Sequence, residues 1–175
     1  MNIQMEFISE SELADESFSI VIDGLKPRET YRVEMFLSDY YCINAPMLLA
    51  HDVLWRSTGT FVSDKNGIID MSQTPSCSGS YKGISTMGLF FNAKPLTNKR
   101  KKLPNSLSEI PLLDHFFVDI KIMQGNTVIA ERTFTRHYMS SQISHKDIYG
   151  RYFQGRLFYD KKAIKAPALI IVSGS

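Results

Sequence analysis

The stretch Leu54–Lys94, LWRSTGTFVSDKNGIIDMSQTPSCSGSYKGISTMGLFFNAK, places this 175-residue chain among the β proteins. Leu54–Val62 is rich in β-branched and aromatic residues, which pack well on a pleated surface and predict a strand. Ser63-Asp64-Lys65-Asn66-Gly67 follows as a turn, its Asn-Gly pair tolerating positive φ, and Ile68–Met71 is expected to return as the partner strand of a hairpin. Pro75, Gly79, Gly83 and Gly88 then punctuate a segment too rich in Ser and Thr for a helix. The apolar run Met87-Gly88-Leu89-Phe90-Phe91 reads as an inner strand after a Gly-rich surface loop.

Outward from this stretch the same period recurs. Phe18, Ile20 and Ile22 alternate with polar neighbours and end at the turn Asp23-Gly24-Leu25-Lys26-Pro27; Tyr31, Val33, Met35 and Leu37 alternate with Arg32, Glu34 and Ser38. Val118, Ile120 and Ile122 alternate with Asp119 and Lys121, and Gln124-Gly125-Asn126 turns the chain into Thr127–Thr135, a second hairpin. Residues 1–16 are polar and acidic and read as a loosely held lead-in. Tyr40–His51 reads as a loop or a short helical turn, since Pro46 opposes a strand. Several short strands with almost no helical period predict a sandwich of two antiparallel sheets over residues 17–160.

Composition narrows the function classes. Hydrophobic residues make up 43% of the chain, enough for one core, and the formal net charge is only +2, so no global field draws it to nucleic acid or a membrane surface. The basic run Asn98-Lys99-Arg100-Lys101-Lys102 has no aromatic residues interleaved and reads as a solvated loop. No apolar run reaches the length of a transmembrane helix and no basic region opens a signal peptide, so the expected location is cytoplasmic. The two cysteines, Cys42 and Cys77, form neither a disulfide framework nor a zinc motif.

Gly67, Asp70, Pro75, Gly79, Ser80, Tyr81, Gly83, Met87, Gly88, Leu89 and Phe90, in that order and spacing, resemble the amino-terminal domain of the acyl-CoA thioesterases and bile acid-CoA:amino acid N-acyltransferases. Two further segments share the resemblance: Ile22–Asp39, with its Gly-Leu-Xaa-Pro turn, and Gly155-Arg156-Leu157-Phe158 leading to Ala166-Pro167-Ala168-Leu169-Ile170-Ile171-Val172. The resemblance implies an all-β, immunoglobulin-like antiparallel β-sandwich followed, at residues 161–175, by a linker and the truncated first strand of an α/β-hydrolase domain. It also implies that a Cys or Ser nucleophile, His and Asp lie beyond Ser175, in that hydrolase domain. That domain is the expected partner, and acyl-CoA is met only through it. Ser173 and Gly174 then correspond to a remnant of an oxyanion loop, as in a truncated gene or a chain cut at a domain boundary.

The chain's own residues offer little chemistry. No Gly-Xaa-Ser-Xaa-Gly elbow is present; Gly83-Ile84-Ser85-Thr86-Met87 has Met where Gly is needed. The glycines at 79, 83 and 88 fail the spacing of a phosphate cradle. His51, His115, His137 and His145 are scattered, and no pair has helical metal-site spacing. The expectation is no catalytic residue, no metal and no cofactor, with Tyr81, Gly83, Met87, Gly88 and Phe90 as ligand or domain contacts on a loop at one end of the sandwich. Two rivals remain open. A free-standing binding module for protein or carbohydrate would expose Trp55, Tyr81, Phe90 and Phe91, and a small enzyme would use Cys77 or a histidine.

Overall fold

The computed structural model describes residues 2–40, 52–99 and 113–171. They form two compact units, the first from residues 2–40, 52–99 and 113–138 and the second from 139–171. In the first, β1 (Gln4–Ser9) and β2 (Phe18–Asp23) pair antiparallel with Met5 opposite Ile22. β3 (Thr30–Ser38) opens another sheet and pairs with β4 (Trp55–Val62), Leu37 opposite Trp55.

The polar lead-in expected before residue 17 therefore contains a strand. Met5 is buried, and the Phe7 ring stacks on Phe18 at 4.3 Å. These two inward side chains hold β1, although Gln4, Glu6 and Ser9 are polar and Ile8 is exposed.

Ile68–Met71 does not return along β4. β5 (Ile69–Asp70) pairs instead with β2, Val21 opposite Asp70, so the Asn-Gly turn carries the chain from one sheet to the other. The cause is a contact between two crossing connections. Leu25 N–H donates to Gly67 O at 3.1 Å, Arg28 N–H to Asp64 O at 3.2 Å, and Ser63 Oγ to Lys26 O at 2.7 Å. Gly67 has φ +83°, and a Cβ there would strike the Leu25 carbonyl, so glycine alone lets the two connections touch.

β6 (Ser78–Gly79) and β7 (Lys94–Pro95) are two-residue strands on β4. Between them Gly88–Phe91 is one helical turn, α1, and not the expected inner strand. Met87, Gly88 and Leu89 are buried consecutively, whereas a strand would have sent alternate members to opposite faces. β8 (His115–Gln124) pairs with β3 and with β9 (Thr127–His137) through the turn at Gly125.

The first unit thus holds a three-stranded sheet, β1-β2-β5, and a six-stranded one, β6-β4-β3-β8-β9 with β7 also on β4. Both contribute to one core: Ile20, Ile22 and Ile69 meet Tyr31, Val33, Met35, Phe61, Val118 and Ile120. The alternating triplets read from the sequence supply its inner faces. The described chain is all-β and antiparallel, with α1 its only helix, and no described helix is long and apolar enough to cross a membrane.

The second unit is a single ladder, β10 (Ile143–Tyr149) against β11 (Gln154–Asp160). Arg156 clamps Asp147 across it through Nε and Nη2 at 2.6 and 3.1 Å. Residues 161–171 form no strand, and Leu169, Ile170 and Ile171 are each more than 80% exposed.

Candidate functional site

The loop from β6 to α1 is built by short polar side chains. Asp70 caps the turn before it, accepting from Ser72 N–H at 2.9 Å and Gln73 Nε2 at 2.9 Å. Ser76, nearly fully buried, donates from Oγ to Ser78 O and Tyr81 O at 3.0 and 3.1 Å, while its backbone exchanges two hydrogen bonds with Gly83. Ser80 Oγ accepts from Thr58 N–H at 3.0 Å. The segment is therefore fastened to β4 at Cys77 and Ser80 and held to itself around Ser76. Its Ser and Thr content reflects this use: short hydroxyls satisfy turn backbone that has no ladder of its own.

The five contact candidates sit mostly on the inner side of this loop. Met87 is 9% exposed, and its Sδ accepts from Phe18 N–H at 3.3 Å. Gly88 is buried where a Cβ would collide with the Tyr81 ring. Phe90 is half-buried, edge-on to Phe18 at 5.7 Å and to Tyr40 at 5.3 Å. Tyr81 packs near Phe61, and its buried hydroxyl has no hydrogen-bond partner; burial pushes that phenol above its usual range. Gly83 alone is exposed, at φ +89°. The larger side chains that the loop and α1 show to solvent are Lys82, Ile84 and Phe91, the last two 61% and 75% exposed. Alternation along a strand could not have found them, because the segment is loop and helix.

The exposed aromatic patch expected of a binding module is not assembled from its four named residues. Trp55 is 6% exposed, Tyr81 and Phe90 are half-buried, and only Phe91 is open.

His115 and His137 stand opposite each other with ring centroids 5.9 Å apart, each beside a carboxylate, and the described residues add no nucleophile to them. Cys77 is a free, exposed thiol. His115 Nδ1 lies 2.5 Å from Asp114 Oδ1, and His137 Nε2 lies 3.6 Å from Glu12 Oε2. The hydrogen bond with His115 foremost, with the nearby His137 adding to it, holds the Asp114 carboxyl below its usual range. Among the described residues no hydrogen bond joins a serine or cysteine side chain to a histidine, and no three His, Cys, Asp or Glu converge as metal ligands. His51, Cys42, Ser173 and Gly174 lie outside the described residues, as do Arg100–Lys102 of the basic run; Lys99 pairs with Asp52.

One buried charge escaped the sequence reading. Arg136 is 1% exposed, its guanidinium 5.4 and 5.2 Å from the Phe7 and Phe18 rings. It donates to Ser9 Oγ at 3.0 Å, Ser11 O at 2.8 Å, Glu16 O at 2.6 Å and Leu13 O. Its position one residue past the expected end of the strand, Thr135, concealed its inward direction.

Comparison with known proteins follows the same outline. Residues 15–149 match the family described as the acyl-CoA thioester hydrolase/BAAT N-terminal region. Acyl-coenzyme A thioesterase 6 of Mus musculus is 23% identical over 166 residues, which are 92% of this chain and 36% of that protein. Acyl-coenzyme A amino acid N-acyltransferase 2 of Mus musculus is 27% identical over 112 residues, 64% of this chain and 24% of that protein. Peroxisomal succinyl-coenzyme A thioesterase, also from Mus musculus, is 24% identical over 165 residues, 91% of this chain and 36% of that protein. The chain spans about a third or less of the length of these relatives, and it belongs to the acyl-CoA thioester hydrolase/bile acid-CoA:amino acid N-acyltransferase family, in its amino-terminal region.

Proposed function

We propose that this chain is the non-catalytic amino-terminal part of an acyl-CoA thioesterase or acyl-CoA:amino acid N-acyltransferase of the cytoplasm, an immunoglobulin-like β-sandwich that packs on a hydrolase domain and helps shape its acyl-CoA entrance. One observation carries the reading: the family match covers residues 15–149, yet the sequence has no nucleophile elbow. A thioesterase of this kind needs a nucleophile projected from a strained turn, with a base in hydrogen-bond reach. Two sheets over one core, with fastened loops between them, are a scaffold suited to supporting a neighbour.

The open side chains of the β6–α1 loop refine the expected contact. Ile84 and Phe91 are free to meet another surface, whereas Met87 and Gly88 hold the loop together. The test is direct. The purified chain, incubated with saturated acyl-CoAs of several lengths and with a bile acyl-CoA, is expected to release no free CoA thiol above the blank. Turnover that disappears on Cys77→Ser or on replacing a histidine would overturn the reading in favour of a small enzyme.

A further inference from the structure

His115 opens β8 and His137 closes β9, and the two are direct partners in the ladder. The His137 N–H donates to Glu12 O at 2.8 Å and its carbonyl accepts from Ala14 N–H at 2.8 Å, so both backbone groups face away from β8. The histidines are therefore a non-hydrogen-bonded pair, the kind whose side chains stand closest, with Cα atoms about 4.5 Å apart. Their ring centroids are 5.9 Å apart. Two imidazoles that share one transition-metal ion, each nitrogen about 2 Å from it, have ring centroids about 5 to 6 Å apart.

Each ring also has a carboxylate behind it. His115 Nδ1 lies 2.5 Å from Asp114 Oδ1, and His137 Nε2 lies 3.6 Å from Glu12 Oε2. A carboxylate only accepts, so each favours the ring proton on the nitrogen it faces and leaves the lone pair on the other, Nε2 of His115 and Nδ1 of His137. Carboxylates impose this same arrangement on metal-binding histidines, fixing the tautomer and raising the basicity of the free nitrogen. Their two negative charges also offset those of a dication. Both imidazoles are open to solvent, with side chains 38% and 39% exposed. The Phe117 ring stands edge-on to His115 at 4.9 Å and limits where that ring can turn.

We propose that His115 and His137 form a two-histidine binding site for a divalent transition-metal ion such as Zn²⁺, with water in the remaining coordination positions and Asp114 and Glu12 as the carboxylates behind the rings. Imidazole suits zinc, copper and nickel, whereas magnesium and calcium take oxygen ligands. Two protein ligands make a site that exchanges its ion, unlike the closed four-ligand sites that hold a fold together. The bound ion joins the start of β8 to the end of β9 and, through Glu12, to the segment that pairs with His137. Helical spacing, the pattern sought among the histidines of the sequence, does not find this pair, because strand register brings the rings together. The site is independent of acyl-CoA chemistry and stands whether or not the chain has a catalytic neighbour.

A titration of the purified 175-residue chain with Zn²⁺, followed by NMR of the imidazole nitrogens, tests it. The expected result is one saturable site that shifts the ring nitrogens of His115 and His137 and leaves those of His145 unmoved, with Mg²⁺ shifting neither pair. His115→Ala is expected to remove the site, and Asp114→Asn to weaken Zn²⁺ binding about 10-fold, as loss of a carboxylate behind a ligating histidine does. His145→Ala is expected to leave binding unchanged. Zn²⁺ binding at full strength in His115→Ala overturns the proposal and assigns the ion to the exposed Cys77 thiol or to another histidine. Ring nitrogens of His115 and His137 that stay unmoved in a large excess of Zn²⁺ overturn it as well. The ring shifts are read on the unmutated chain, so a variant that fails to fold leaves the test intact.

Discussion

Arg136 shows what one side chain contributes here. A guanidinium set beside the stacked Phe7–Phe18 pair, with donors on three backbone carbonyls and a serine hydroxyl, ties residues 9–16 to the end of β9. Replacing it removes the donors but leaves the carbonyls buried. Arg136→Met is therefore expected to cost about 3 kcal/mol, of the order seen when one partner of a buried charged network is removed, and a urea titration of the whole chain measures it. A loss below about 1 kcal/mol would mean that water replaces the guanidinium. The contact candidates teach a related lesson. Tyr, Met, Gly and Phe recur at binding surfaces and in cores alike, so residue type could not tell that Met87 and Gly88 point inward. Ile84, which is exposed, carried no distinguishing pattern, and Phe91 was named only as one of four aromatic candidates for exposure.

At the scale of elements, the β4–β5 turn couples a local motif to the crossing between sheets. The Asp64 carboxylate accepts from the backbone N–H of Ile68 at 2.8 Å and of Asn66 at 2.8 Å. These bonds, that of Ile68 foremost, hold its carboxyl below the usual range, against a smaller opposing effect of desolvation. A carboxyl depressed by folding stabilises the fold above its unfolded pKa of about 4, and that contribution is lost as pH falls through the lowered folded value. Asp64→Asn is thus expected to lower the thermal midpoint at pH 7, and the difference is expected to shrink as the pH falls below about 4 and the wild-type carboxyl takes up its proton. A midpoint difference that stays constant from pH 7 to pH 2 would show that the side-chain charge is immaterial to the turn. Strands with strict alternation were legible in advance, and so was the Gly125 turn. The partner of β5 was not, since two residues fit any ladder and the choice was made by the contact between Gly67 and Leu25.

For the whole molecule, the two compact units predict independent behaviour. Removing everything after Tyr138 is expected to leave the unfolding midpoint of the first unit unchanged within a few tenths of a kcal/mol, by chemical denaturation followed through the buried Trp55; a large loss would show that the hairpin supports the first unit. The all-β class, the inward faces of β2, β3 and β8 and the family followed from residue order alone, because period-2 burial and turn chemistry are local properties that neighbours in sequence enforce. Which sheet β5 joins, why Gly88–Phe91 coil into a helical turn and how Arg136 is buried were settled by tertiary structure. Each of these depends on groups tens of residues apart meeting in space, and no local period encodes such a meeting.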